Sequence, residues 1–458
     1  MNSDVKSGLV EILGATDVLV GDGIGEDYAH DESLVQEPAL PELVVRPTTT
    51  EQVSKILRLC NEHGVPVTAR GSGTGLSGGC VAIKGGVLLS MERMKRIKEI
   101  DTENHVAVVE PGVTLAELEA EAQPKGLVYP ILPGESSASI GGNVATNAGG
   151  MRAVKYGVTR NNVLGLEAVL ANGEVIRTGG KFVKASTGLD LTQLLIGSEG
   201  QLAIVTEVTL KLVPFMPHRA TLLLPFRTLE EVTAAVPAIL AAGLCPLMLE
   251  YIDLVAMAAL EQNTGLSLGI PQAVKDAALA YLVVVIEGRL AERVEQDVEA
   301  AGELAAELGA IDVYSLPKQA GSDLLHAREQ VFWVTKKAGA TDIIDIVVPR
   351  AQIPAYMAKV SAIGQQYQSL ILGSGHAGDG NVHLGVFPAN QEVRPRVLHA
   401  LFDAGIGLGG AISAEHGIGS EKRDLFLELE DPTRLLLQRR IKEAFDPNGI
   451  LNPGKTIG

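Results

Sequence analysis

Cysteine is scarce in this chain. Its 458 residues include three, Cys60, Cys80 and Cys245, too few and too scattered for a disulfide framework, an iron–sulfur cluster or a thiolate zinc site. Any electrons handled here must travel on another carrier. Long apolar runs are also missing: no stretch approaches the ~18 residues needed to cross a bilayer, although 46% of the residues are hydrophobic and the mean hydropathy is +0.21. Residues 1–14 carry Asp4 and Glu11 and lack a basic segment followed by a long apolar core, so no secretory signal is expected. A cytoplasmic location is the default, with peripheral attachment to a membrane through a partner left open. Positive charge is in deficit as well. Against 38 Lys and Arg stand 55 Asp and Glu, a net −17, which repels nucleic acid and anionic lipid.

What the chain does have is glycine: 51 residues, about 11% against a usual ~7%, with no collagen-like period. A chain this long is expected to form two or three domains. Thr50 and its neighbours open a helix-like run over 51–63, followed by a strand at 65–69 and another at 86–90. From Thr221 the texture changes to strands alternating with amphipathic helices and fewer glycines. The division expected is therefore 1–215, 216–411 and a turn-rich segment at 412–458 that returns to the first domain. The second domain reads as strands 221–224, 247–252 and 281–287 with helices 229–242 and 290–308, an α+β layer.

Three places match Gly-x-Gly-x-x-Gly: Gly73/Gly75/Gly78, Gly373/Gly375/Gly378 and Gly405/Gly407/Gly410. A dinucleotide fingerprint needs a strand before it and a helix N-terminus after it. None of the three has that context, so an NAD-type Rossmann site is not expected. The first loop, Arg70-Gly71-Ser72-Gly73-Thr74-Gly75-Leu76-Ser77, still demands a reason, because its glycines carry an entropic cost that a mere turn does not require. Convergent N–H groups, three hydroxyls and Arg70 together make an anion-binding concavity. Two further glycine-dense stretches run from Pro133-Gly134-Glu135 to Gly149-Gly150 and over Gly197-Ser198-Glu199-Gly200.

Those residues, with Thr146-Asn147-Ala148-Gly149-Gly150, resemble the FAD domain of the vanillyl-alcohol-oxidase flavoproteins. Nearly the whole chain resembles their D-2-hydroxyacid dehydrogenase group, which holds D-lactate dehydrogenases, a glycolate oxidase component and D-2-hydroxyglutarate dehydrogenases. The resemblance implies an α+β fold, with a two-part FAD-binding domain and a substrate (cap) domain on an antiparallel sheet. It implies that Arg70, Gly71, Ser72, Gly73, Thr74, Gly75, Leu76 and Ser77 wrap the FAD pyrophosphate. Pro133, Gly134, Gly141, Gly142, Thr146, Asn147, Gly149, Gly150, Gly200, Ile204 and Asn452 then complete the cofactor site. No histidine lies in the first loop, so the FAD is expected to be non-covalent.

Histidines cluster late in the chain. His376-Ala377-Gly378-Asp379-Gly380-Asn381-Val382-His383 puts two imidazoles at either side of a glycine turn, the first just past a strand at 369–372 and the second in an alternating strand at 381–387. Two histidines with one carboxylate, for which Glu415 is the candidate, suit a catalytic divalent ion such as zinc, manganese or ferrous iron. The resemblance implies that His376, His383 and Glu415 hold a metal and that His416 is the general base. It also implies that Arg328, on a helix expected over 323–337, binds the substrate carboxylate. Polar residues that hydroxyglutarate dehydrogenases carry are replaced here by Phe332, Ile343 and Gly385. Phe332, four residues beyond Arg328, is expected on its face of the helix, and Trp333 in the core.

The expected activity is oxidation of a small D-2-hydroxyacid, D-lactate or glycolate, by metal-assisted proton abstraction and hydride transfer to flavin N5. Electrons then pass to an electron-transfer flavoprotein, an iron–sulfur subunit, or a quinone or cytochrome; nucleic acid is excluded as a partner and oligomerisation is left open. D-2-hydroxyglutarate oxidation is the nearest alternative. A metal-dependent hydrolase would leave the glycine loops idle, and a non-catalytic flavin- or nucleotide-binding protein would leave the histidines idle.

Overall fold

The computed structural model describes residues 3–458. The chain divides into two compact units. The first comprises the chain up to Ala148, then Val158–Phe215 and Glu415–Gly458; the second comprises Gly149–Gly157 and Met216–Ala414. The division expected from sequence runs unbroken over 1–215 and begins the return segment at 412. The structure assigns the nine-residue excursion 149–157 to the second unit and starts the return at Glu415.

Helix Thr50–Glu62 shows why the first unit folds as it does. Thr49 caps it by accepting the Gln52 amide proton, and its buried stripe is Val53, Ile56, Leu57 and Cys60, the apolar spacing of one helix face. That stripe packs with strands Leu43–Val45, Val67–Arg70 and Val87–Ser90. Those strands, mutually parallel, make a four-stranded sheet with Val18–Val20, which pairs antiparallel at one edge. A second sheet of five antiparallel strands runs in the order Ile97–Asp101, Val106–Val109, Ile204–Lys211, Val163–Val169 and Val175–Gly179.

The second unit is built on one seven-stranded antiparallel sheet. Its strands are β1 (His218–Phe226), β2 (Met248–Asp253), β3 (Ala280–Gly288), β4 (Tyr314–Leu316), β5 (Asp342–Val347), β6 (Leu370–His376) and β7 (Asn381–Phe387), in the order β4-β1-β3-β2-β6-β7-β5. Helices Leu229–Ala241 and Ala291–Glu307 pack against β1 and β3. Strand β1 is buried from Thr221 to Phe226 and β3 from Ala280 to Ile286, and these stretches are largely apolar for that reason. Among the described helices none is long and apolar enough to cross a membrane.

Two local expectations are corrected. The helix expected over 323–337 is two helices, α1 (Lys318–Glu329) and α2 (Val331–Lys337). The two meet at Gln330. Trp333 is 40% exposed rather than in the core, its ring edge-on to Phe332 with centroids 5.1 Å apart and Lys336 Nζ over both rings. A cation stacked on the face of two rings accounts for a half-solvated tryptophan.

Candidate active site

One face of the second unit's sheet carries a row of polar side chains fixed by register. Strand β2 pairs Tyr251 with Gly375 and Ile252 with Ser374 on β6, and the next step places Glu250 opposite His376. Strand β6 pairs His376 with Asn381 and Ser374 with His383 on β7. Strand β7 in turn pairs His383 with Asp345 on β5. Because facing residues in a ladder share a side of the sheet, Glu250, His376, Ser374, Asn381, His383 and Asp345 line one surface. The two imidazoles sit diagonally across β6 and β7, edge to face with centroids 5.0 Å apart. Gly380, at φ +94°, permits the tight turn between them; a Cβ there would stand 2.1 Å from the Val348 carbonyl oxygen.

His376 is 6% exposed, and its Nδ1 lies 2.7 and 2.9 Å from the two carboxylate oxygens of Glu250. Arg328, in the last turn of α1, is 7% exposed and brings Nη2 to 3.1 Å from Glu250 Oε2. It is therefore no solvated helix arginine. Its Nε and Nη2 are nevertheless buried without an aligned hydrogen-bond acceptor, which is costly unless something accepts from them. Asp345 is fully buried: Asn381 Nδ2 donates to Oδ1 at 2.9 Å, and Ser413 Oγ and the Ala414 amide donate to Oδ2 at 2.8 and 3.1 Å. Tying 413–414 to β5 fixes where the next two residues, Glu415 and His416, begin.

Asp345 and His383 face one another in the β5–β7 ladder of the second unit, and Glu415 and His416 stand together where the chain re-enters the first. His416 Nε2 stands 3.9 Å from Glu415 Oε1. Imidazole and carboxylate are the donor types that suit a divalent ion of the zinc, manganese or iron type. His376 stands beside His383 in the same unit. Sequence reasoning misses Glu250 and Asp345. A lone carboxylate inside an otherwise apolar strand, Leu-Met-Leu-Glu-Tyr-Ile or Ile-Ile-Asp-Ile-Val, is the one signal that could have found them.

Phe332 and Ile343 are half-buried. Gly385 faces Ile343 in the β5–β7 ladder, and a Cβ there would meet Thr335 of α2 at 2.6 Å. A side chain at 385 would have to displace the Thr335 methyl.

In the first unit the glycine stretches converge on one another. Ser139 caps helix Ile140–Thr146 by accepting from the Gly142 amide, and the same hydroxyl accepts from the Ser72 amide at 3.3 Å. A Cβ on Gly71 would stand 2.1 Å from that hydroxyl, which is why glycine is needed there. Arg70 is 8% exposed and donates from Nη1 to the His30 carbonyl at 2.6 Å, its guanidinium lying under Gly73. Leu76, Thr74 and Gly75 lie half-buried in the same loop, and Ser77 Oγ donates to the Gly417 carbonyl at 3.1 Å.

Of the other cofactor candidates, Pro133 and Gly134 are half-buried, and Thr146 Oγ1 donates to the Gly142 carbonyl. Asn147 Oδ1 accepts from the Arg160 amide. Gly141 packs on Pro111, Gly200 has φ +70°, and Ile204 is buried. Gly149 and Gly150 fall in the excursion that joins the second unit. Asn452 Nδ2 donates to the carbonyls of Gly79 and Glu199. Asn143 Nδ2, both ends of the Gln201 amide and Asn452 Oδ1 are buried with no protein partner. A polar lining of this kind, under glycine loops, fits a large phosphate-bearing cofactor.

Glu199 accepts from the amides of Ile418 and Gly419 at 2.8 and 2.7 Å, and burial pushes its carboxyl up from the usual range. Lys455, fully buried, donates to the Gly78 carbonyl at 2.6 Å. Burial lowers its pKa from 10.5 to about 8, against the pull of Asp31, Cys80 and Glu199. Between those values the unfolded chain holds more protons than the folded one, so stability rises with pH. The Cys80 thiol, raised by burial from 9 to about 11, acts in the opposite sense only above pH 9. The urea midpoint is therefore expected to gain from Lys455 between about pH 7.5 and 9, and Lys455→Met is expected to flatten that gain; equal slopes would count against a titrating Lys455.

The fold and these loops define a class, and known proteins agree with it. Residues 41–179 match the FAD binding domain family and residues 216–456 match the family of FAD linked oxidases, C-terminal domain. The chain belongs to this family of FAD-linked oxidoreductases, of the vanillyl-alcohol-oxidase type. It is 52% identical over 456 residues to an uncharacterized FAD-linked oxidoreductase of Mycobacterium tuberculosis, covering 100% of this chain and 99% of that one. It is 39% identical to a D-lactate dehydrogenase of Anaerostipes hadrus, covering 96% of this chain and 94% of the relative. With glycolate oxidase subunit GlcD of Bacillus subtilis the identity is 37%, over 99% and 97%. Among solved structures, p-cresol methylhydroxylase superposes with a TM-score of 0.81 at 20% identity over 99% of this chain and 96% of that one. The expected fold class is thus observed, and the protein is an FAD-dependent oxidoreductase of the D-lactate dehydrogenase and glycolate oxidase type.

Proposed function

We propose that this protein oxidises a small D-2-hydroxyacid, D-lactate or glycolate, to the 2-oxoacid. The observation that carries the reading is Arg328: a buried guanidinium with two donors lacking acceptors, adjoining a row of imidazoles and carboxylates. A planar fork of that kind grips a carboxylate bidentately and fixes C2 of the substrate. His416 removes the proton of the 2-hydroxyl, a task suited to imidazole at neutral pH. His376, His383 and Glu415, with Asp345 beside them, hold a divalent cation. When bound, FAD takes up the hydride and the cation polarises the hydroxyl. Both named relatives that act on small hydroxyacids support the substrate class. A hydrolase reading would leave the FAD domain without a role.

Reduced flavin must then be reoxidised, and three scattered cysteines make no cluster. An electron-transfer flavoprotein, an iron–sulfur subunit, or a quinone or cytochrome is the proposed acceptor. The glycolate oxidase relative is by name one subunit of its enzyme, which favours a protein partner. Non-covalent FAD follows from a first loop without histidine.

Anaerobic addition of D-lactate, glycolate and D-2-hydroxyglutarate in turn to the purified protein tests the proposal. Bleaching of the flavin band near ~450 nm by D-lactate or glycolate is expected. Bleaching by hydroxyglutarate alone would overturn the small-substrate reading, and no bleaching by any of them would remove the hydroxyacid class.

A further inference from the structure

Glu250 lies in no motif, yet it touches both halves of the polar row. It is 1% exposed. Its carboxylate receives His376 Nδ1 through both oxygens and stands 3.1 Å from Arg328 Nη2. Register makes this contact unavoidable, since pairing Tyr251 with Gly375 brings position 250 opposite position 376. A carboxylate only accepts hydrogen bonds. The contact therefore fixes Nδ1 as the donor and leaves Nε2 as the ligating atom of the ring.

We infer that Glu250 is a positioning residue of the site: it sets the tautomer and orientation of His376 for a divalent cation, and it holds the Arg328 guanidinium for a substrate carboxylate. The inference rests on the functional reading above. One side chain thereby links the two halves of recognition, since any shift of Glu250 moves the imidazole and the guanidinium together. Carboxylates behind metal-binding imidazoles generally contribute about 10–100-fold in metal affinity. Glutamine at 250 keeps the shape but can turn an N–H toward Nδ1, favouring the other tautomer.

The experiment is a zinc and a manganese titration of FAD-loaded, metal-stripped protein against an indicator dye, for wild type and Glu250→Gln. The variant is expected to bind about 10–100-fold more weakly, with FAD content unchanged. At saturating metal its KM for D-lactate should rise, because the guanidinium is no longer held for the substrate carboxylate; an unchanged KM would overturn the Arg328 half of the inference. A merely structural role would lower thermal stability and FAD content together and leave metal affinity alone. If wild type binds and Glu250→Gln binds as tightly, Glu250 loses the role while the functional reading stands. If wild type takes up neither ion, both fall. Should the variant fail to fold, nitrogen NMR of the histidine rings in the metal-stripped wild type decides: an Nδ1–H tautomer for His376, assigned by its loss in His376→Asn, supports the inference, and an Nε2–H tautomer overturns it.

Discussion

Replacing His416 by alanine is expected to leave the flavin spectrum intact and to slow anaerobic reduction by D-lactate by about 10²–10⁴-fold, the usual contribution of a positioned general base. The fold should survive because the structural contact at this residue is made by its backbone: Ser77 Oγ donates to the His416 carbonyl at 3.2 Å. The side chain itself is nearly buried, 13% exposed, with Nε2 near Glu415. Stopped-flow reduction, with FAD and metal content measured on the same sample, separates the two ways the variant can fail. Slow reduction with full metal assigns the proton transfer to His416. Reduction at the native rate would move the base elsewhere in the row.

The second large effect concerns Arg328. Arg328→Gln is expected to lower kcat/KM for the hydroxyacid by about 2–5 kcal/mol, which is roughly 30- to 5000-fold, as for other truncations of a buried, hydrogen-bonded charge pair. Arg328→Lys should recover only part of that, since an ammonium restores charge but not the fork. The substitution also withdraws the cation beside the buried Glu250, so the glutamine variant should melt lower than wild type. Adding Glu250→Gln should return part of the stability, because removing both members of a buried pair costs less than removing one. A double-mutant cycle in urea measures that coupling; additive losses would mean that the Arg328–Glu250 contact contributes nothing.

Much of the fold is legible in periodicity. The stripe Val53, Ile56, Leu57, Cys60 marks a helix that the structure shows at Thr50–Glu62, and the alternation in Asn381–Phe387 marks strand β7. His376, expected just beyond its strand, is the last residue of β6. The break at Gln330 has no such signal, since neither glycine nor proline interrupts 323–337. Local pattern cannot show where tertiary packing ends one helix and starts another, and it puts Trp333 in the core. The site divides in the same way. Histidines in a glycine turn are visible because they stand in unusual company, whereas Glu250 and Asp345 become meaningful only through strand register. Register links positions 250 and 376, and nothing in the local sequence of either strand records it.

The first unit is assembled from three separate stretches of chain. Val67 bridges Leu451 in parallel, Asn452 and Lys455 fasten the carbonyls of Gly79 and Gly78, and the buried Lys442 bonds Asp446 and the carbonyls of Gln201 and Leu451. These supports emerge from the ribosome only after the whole second unit has been made. Synthesis therefore cannot complete the cofactor domain first and append the other, as it does for domains laid end to end. The growing chain must carry an unfinished glycine loop through the translation of 216–414, and a nonsense codon anywhere before Lys442 yields a product whose nucleotide-binding half is unfinished although its own glycine motifs are all present.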